Sequence, residues 1–233
     1  MRFVESLADQ ISHRNRKAKF HQFLRHVAPR EDETILDVGV ADKEYSENDN
    51  YLEKHYPHPA NIVAVARTSL DDFSLRYPHI RVVTADGRAL PFADDEFDIA
   101  YSNAVIEHVG SSESQLAFLR ELHRVARSGY LTTPNRRFPI EVHTRIPLLH
   151  VLLPKKWFHR FLISIGKGWA AGDYMHLLSE RDLRRLLHKT AITDFRIIRN
   201  RFLGMTMTFS VSWSKRADVT ATRRPGRAGC PTS

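Results

Sequence analysis

The chain has 233 residues, 42% of them hydrophobic and 10% aromatic, enough for one substantial core and few for two ordinary domains. Its single cysteine, Cys230, excludes an internal disulfide framework and a cysteine-based metal cage, and it points to a reducing compartment. The formal net charge is +8, but Lys215, Arg216, Arg223, Arg224 and Arg227 against Asp218 place half of that excess in one tail, which leaves no strong case for nucleic acid.

Residues 5–28 space Leu7, Ile11, Phe20, Phe23, Leu24 and Val27 as one face of a helix, with Arg14, Arg16, Lys17, Lys19 and Arg25 among them. This predicts a basic amphipathic helix packed on the domain with its charged face in solvent; an anionic membrane surface or substrate is the other use of such a face. Strand-like runs then alternate with helical stretches: Thr34-Ile-Leu-Asp-Val, Asn61-Ile-Val-Ala-Val, Ile80-Arg-Val-Val-Thr, Phe97-Asp-Ile-Ala-Tyr and Gly129-Tyr-Leu-Thr-Thr. Such alternation predicts a doubly wound, Rossmann-like α/β sheet, mainly parallel, with helices on both faces. The helix at 112–127 opens on Ser112 with Gln115 three residues on, and that before Leu183, Leu186 and Leu187 on Ser179 with Asp182. Phe195-Arg-Ile-Ile-Arg and the run from Met205 to Trp213 alternate with period two, which completes seven strands with an antiparallel edge strand.

Residues 135–175 interrupt the alternation. They hold Pro139, Pro147, Pro154, Trp157 and Trp169, and a long insertion beyond a strand's carboxyl end builds the substrate side of such folds. Residues 1–214 are thus expected to form one domain, and 215–233, rich in Thr, Pro, Gly and Arg, a disordered basic tail. No apolar run approaches the roughly 20 residues that span a bilayer, and the opening Met1-Arg-Phe-Val-Glu-Ser lacks the core of a secretion signal, so a soluble cytoplasmic protein is expected.

In a doubly wound sheet the ligand sits beyond the carboxyl ends of the strands. Four such ends carry polar or small residues: Asp37-Val38-Gly39-Val40-Ala41, Ala66-Arg67, Asp86-Gly87-Arg88 and Asn103-Ala104 through Glu107-His108. With Ala85-Asp86-Gly87-Arg88-Ala89-Leu90-Pro91-Phe92-Ala93-Asp94-Asp95-Glu96-Phe97-Asp98 as its strongest section, the stretch from 34 to about 190 resembles the class I S-adenosylmethionine-dependent methyltransferases, in particular the bacterial group with a type 11 methyltransferase domain. The resemblance implies S-adenosyl-L-methionine as methyl donor along that edge. Gly39 would let backbone approach its methionine portion, and Asp37 would order that loop or bond its ammonium group. The resemblance further implies that Asp86 accepts a hydrogen bond from the adenine amino group, with Gly87 and Arg88 beside the ring and Asn103 and Ala104 closing the other side; Val40, Ala41 and Ala66 would line the same edge.

Two places depart from the family pattern. Val40 to Tyr45 replace the usual glycine-rich stretch, so that either Asn50 or Tyr51 substitutes for the missing donor contacts or Asn48 to Asn50 simply cap the next helix. After the second strand, Arg67 stands where an acid usually holds the ribose hydroxyls, and Asp71 comes further along.

Methyl transfer is an in-line displacement for which an enzyme supplies positioning and, where needed, a base. His108, Glu141 and His143 are the candidate catalytic residues; the same three groups also have the composition of a metal site, without diagnostic spacing. The expected activity is methylation of O or N of a small molecule, with Arg136, Arg137 and Arg145 favouring an anionic or sugar-bearing acceptor. The alternative is a non-catalytic methyltransferase-like module that uses the basic helix and tail on nucleic acid or a membrane surface. A nicotinamide oxidoreductase is disfavoured because Gly-x-Gly-x-x-Gly is absent after the first strand.

Overall fold

In a computed structural model, which describes residues 2–139 and 175–215 together with 157, 160, 163 and 164, the strand-like runs become one seven-stranded sheet. The strands are β1 (Ile35–Val38), β2 (Ile62–Ala66), β3 (Arg81–Thr84), β4 (Phe97–Asn103), β5 (Ala126–Pro134), β6 (Phe195–Phe202) and β7 (Met205–Ser214), in the order β3-β2-β1-β4-β5-β7-β6. Pairs from β3 through β5 are parallel, whereas β7 runs antiparallel to both β5 and β6. The reversed strand thus lies one place in from the edge, with β6 outside it. The order reverses at β1, between β2 and β4, which is where a doubly wound sheet opens a crevice for ligands.

Alternation along each strand sends neighbouring residues to opposite faces. Leu36, Val38, Ala100 and Leu131 meet Phe118, Leu119 and Leu122 of α4 (Ser112–Val125) and Leu183 and Leu187 of α5 (Glu180–Lys189) in one core. Ile35, Ile62, Ala64, Ile99, Tyr101 and Tyr130 meet Phe20 and Phe23 of α1 (Arg2–His26), Leu52 of α2 (Tyr51–His55) and Phe73 of α3 (Asp71–Arg76) in the other. The two helix-only starts differ in outcome. Ser179 and Asp182 form the expected reciprocal box before α5, but α4 is capped one residue earlier than expected, by Ser111 accepting from the Ser114 amide. Gln115 turns inward instead and donates to the carbonyls of Ile106 (3.2 Å) and His176 (2.7 Å), which ties the 175–178 segment to the end of β4.

The two borders of the 135–175 insertion meet at the carboxyl edge, where Asn135 bridges to Leu178 and the Arg136 amide donates to the Leu178 carbonyl (3.0 Å). Most of the insertion, including Glu141, His143 and Arg145, lies outside the described residues, as does the tail beyond Lys215. Lys215 itself still follows the sheet, its amide donating to the Arg127 carbonyl (2.8 Å). Among the described residues no helix is long and apolar enough to cross a membrane.

The β5–β7 seam leaves no room beside the backbone. Gly129 stands opposite Trp213, and a Cβ on Gly129 would fall 2.1 Å from the indole Cζ2. Gly129→Ala should lower stability by about 1–3 kcal/mol, as overpacking does in a dense core. A urea melt measures this, and adding Trp213→Leu should recover part of the loss; strict additivity of the two substitutions would show that the indole is not the cause.

Candidate active site

The carboxyl ends of β1 and β4 border a small cavity whose lining includes Arg16, Asp37, Gly39, Tyr51, Tyr101 and Asn103. Gly39 is required there twice over. Its φ of +107° is unfavourable for other residues, and a Cβ would lie 2.2 Å from Val105 Cγ2, which follows β4. Its amide donates to the Val65 carbonyl (2.8 Å), so the turn leaving β1 is anchored to β2.

The loop without glycines is held by side chains. Asn50, in a left-handed conformation at φ 47°, accepts from the Ala41 amide (2.9 Å) and donates to the Ala41 carbonyl (2.8 Å) and to Glu44 (3.0 Å). It makes no side-chain cap to α2, so in this structure it latches the loop. Glu44 also accepts from the Tyr77 hydroxyl (2.6 Å) and pairs with Lys54 (2.9 Å); burial raises its pKa, but these hydrogen bonds outweigh burial and leave it lowered. Asp42 accepts from the Phe73 amide (3.1 Å) in the first turn of α3. Tyr51 lines the cavity, its ring packed against His55 (4.1 Å between centroids) and Phe20 (5.6 Å).

Asp37 is buried, and its carboxyl group interacts with that of buried Glu53 on α2. Burial first, and then the charge of Glu53, push the Asp37 pKa well up, while Arg16 pulls it down; burial also raises Glu53, partly offset by the interaction with Asp37. Two carboxyl groups so placed share a proton rather than ionise together.

Asp86 is half-exposed and engaged by Arg88, whose Nε and Nη2 donate to it at 2.9 and 2.6 Å while the Arg88 amide adds a third bond at 2.9 Å. These bonds, opposed by burial and helped by Arg67, bring its pKa down to about 2. An adenine amino group seeking Asp86 must share it with Arg88. Gly87 is needed for close packing, since a Cβ would meet the Phe118 ring at 2.6 Å. Arg67 is exposed just past β2, and Ala66 is buried at that strand's end. Ser69 donates to Asp71 (2.7 Å) at the start of α3.

Asn103 ends β4 with its Oδ1 accepting from the Thr132 hydroxyl (2.7 Å), and Ala104 turns through a φ of +59° while its amide donates to the Thr132 carbonyl (3.0 Å). His108 follows on a short 3-10 turn, Ile106–His108, half-buried, and Glu107 beside it is buried, accepting from the Thr133 hydroxyl (3.1 Å).

Arg16 and Lys19 were expected on a solvated face, but both turn toward the sheet. Lys19 is buried, and its Nζ donates to the Thr132 hydroxyl (3.4 Å). Burial, then the charge of Arg16, push its pKa well below that of an ordinary lysine, with Glu107 opposing. The spacing carried the signal: Arg16, Lys19, Phe20 and Phe23 fall at i, i+3, i+4 and i+7, one face of a helix whose apolar members were already read as inward.

Residues 51–132 match the family model described as a methyltransferase domain, a match that begins only past the glycine-free loop. A comparison with curated protein sequences found no match. Among solved structures, the chain resembles an S-adenosylmethionine-dependent methyltransferase of Methanosarcina mazei at 18% identity and a TM-score of 0.54, over 82% of this chain and 96% of that one. It resembles one from Aquifex aeolicus at 16% identity and TM-score 0.52, over 83% and 87%, and the geranyl diphosphate C-methyltransferase of Streptomyces coelicolor A3(2) at 13% and 0.57, over 88% and 80%. At these identities the structural likeness speaks for the fold, and the matched domain speaks for the family. Residues 51–132 thus carry a type 11 methyltransferase domain, set in a sheet with the fold of the class I S-adenosylmethionine-dependent methyltransferases.

Proposed function

We propose that this protein methylates an oxygen or nitrogen atom of a small anionic or sugar-bearing acceptor, and that Arg16 and Asp37 together hold the amino-acid end of the donor. The observation that carries the reading is that Arg16 and Asp37 line one small cavity together with Gly39, whose φ of +107° keeps a side chain off the backbone there. S-adenosylmethionine supplies, when bound, an electrophilic methyl group whose bond to sulfur breaks as a bond to the acceptor forms. Arg16 offers a fork of donors to a carboxylate, and Asp37 an acceptor to an ammonium group. Asp86 and the backbone at Gly87 and Arg88 serve the adenine end. Asn103 has its oxygen committed to Thr132, so its amide hydrogens are left to face the cavity. Proton removal from the acceptor falls to His108, Glu141 or His143, of which His108 lies among the described residues. The anionic preference rests on Arg136 and Arg137 at the mouth of the insertion, both exposed.

Arg16→Ala should weaken binding of S-adenosylhomocysteine about 10- to 100-fold, the scale of a lost charge-assisted contact. Binding of methylthioadenosine, which lacks the amino acid, should stay the same. Isothermal calorimetry measures both; equal losses for the two ligands would remove Arg16 from the carboxylate, and no homocysteine-ligand binding at millimolar concentration to the unaltered chain would sink the methyl-transfer reading.

The carboxyl pair makes donor affinity depend on pH. Asp37 meets an ammonium only when ionised, and its pKa is raised, so affinity for S-adenosylhomocysteine should climb as pH rises from the ordinary carboxylate range of about 4 through the pair's elevated pKa. Stability of the unliganded protein should move the other way: a raised folded-state pKa contributes stability at low pH that is lost as pH rises through it. Glu53→Gln, which replaces one acid by a hydrogen-bonding amide, should flatten both profiles; unchanged profiles would show that the pair does not govern them.

A further inference from the structure

A second cavity, of about 420 Å³, opens between α1 and the β6–β7 arm, on the sheet face that α1 covers. Asn15, Gln22 and Asn200 line it beside the apolar Ile11, Ala18, Phe202 and Met207. Buried Asn200 accepts from Gln22 (2.7 Å) and donates to Thr208 (3.1 Å) and Ser210 (2.9 Å), and Asn15 reaches Thr208 at 3.5 Å. Its rim is cationic. Arg14 and Arg201 are exposed and pair with no acid among the described residues, and no carboxylate is among the described lining. Arg199, also lining, is neutralised from outside by Glu180 (2.7 Å).

This cavity is joined to the donor pocket by a row of polar side chains. Asn103, Thr132 and Ser210 are successive cross-strand partners on β4, β5 and β7, and Asn200 bonds to Ser210 from β6. At about 4.8 Å per strand, Asn103 and the groove are two to three strands, or roughly 10–14 Å, apart. Resting on the reading that the pocket at β1 and β4 holds a methyl donor, we propose that the groove between α1 and the β6–β7 arm binds the oxyanion end of the acceptor: a phosphate or carboxylate on a hydroxyl-bearing small molecule. Arg14 and Arg201 would take the oxyanion, the side-chain amides of Asn15 and Gln22 would take the hydroxyls, and the methylated atom would lie about 10 Å away toward Asn103.

The test uses the full chain saturated with S-adenosylhomocysteine and, as probes, glucose 6-phosphate, inorganic pyrophosphate and neutral glucose, followed by thermal shift and calorimetry. Both anions should raise the melting temperature, with glucose doing so far less. Arg14→Ala with Arg201→Ala should weaken both anions by about tenfold or more, whereas Arg25→Ala with Arg81→Ala, the same charge change at exposed positions elsewhere, should retain them. Arg16→Ala should leave anion affinity unchanged, so a defect in the donor pocket is told apart from one in the groove. The inference is overturned if neither anion binds, if binding survives the loss of Arg14 and Arg201, or if the control pair loses it equally. Anion binding that needs Arg14 and Arg201 in a chain that binds no homocysteine ligand would sustain the groove and refute the methyl-transfer reading.

Discussion

Phe23 packs its ring against the stacked pair Tyr101 of β4 and Tyr130 of β5, at centroid distances of 5.0 and 5.5 Å, and the Tyr130 hydroxyl donates to the Lys19 carbonyl (2.8 Å). This contact sets both the rotation and the position of α1. Losing such a buried aromatic costs about 3–5 kcal/mol, more than any single polar contact around it returns. With α1 seated by that ring, Arg16 falls on the cavity at the ends of β1 and β4, Lys19 over Thr132, and Asn15 and Gln22 over the β6–β7 arm. A helix turned by one residue, about 100°, would remove all three placements at once. The basic helix is therefore packed on the sheet and lines both cavities.

The polar row beneath α1 is costly to bury, and the structure offsets that cost by pairing within the row. Thr132 accepts from Lys19 and donates to Asn103, and Asn200 is bonded on both its amide atoms. Asp37 and Glu53 solve the same problem by sharing a proton, since two buried carboxylates could not both ionise. The loop after β1 follows a related rule. Where glycines would let backbone amides approach a ligand, Asn50, Glu44 and Asp42 hold the chain by side-chain bonds, so the loop is stiff and its surface chemistry differs.

Much of the fold was legible because it depends on local pattern. Apolar runs between helical stretches located the first five strands and period-two alternation the last two, while the block from Asp86 to Asp98 carried the resemblance to the matched methyltransferase domain. What escaped depends on contacts between distant residues. The inward turn of Lys19 requires Thr132, 113 positions away, and no charge pattern within α1 reveals such a partner, although its spacing from Phe23 hints at it. Asn50 could not be read as a latch without the backbone of Ala41 beside it. Ser112 lost the cap of α4 to Ser111 because Gly110, at φ +106°, turns the chain one residue earlier than the serine pair alone suggests.

The first helix and the last described strand meet on one face of the sheet, with Asn15 touching Thr208 across 193 positions. β7 also lies between β5 and β6, so neither the sheet nor the groove closes until the late strands are in place. Such non-local pairing is slow relative to helix formation and must overcome the entropy of closing long loops. During synthesis α1 would emerge with its aromatic face unmatched, and the sheet would wait with β5 as an open edge. An intermediate of that kind would lack both cavities that α1 lines, so a molecule bound in either would report on completion of the fold and, present during refolding, would draw the chain toward the closed state.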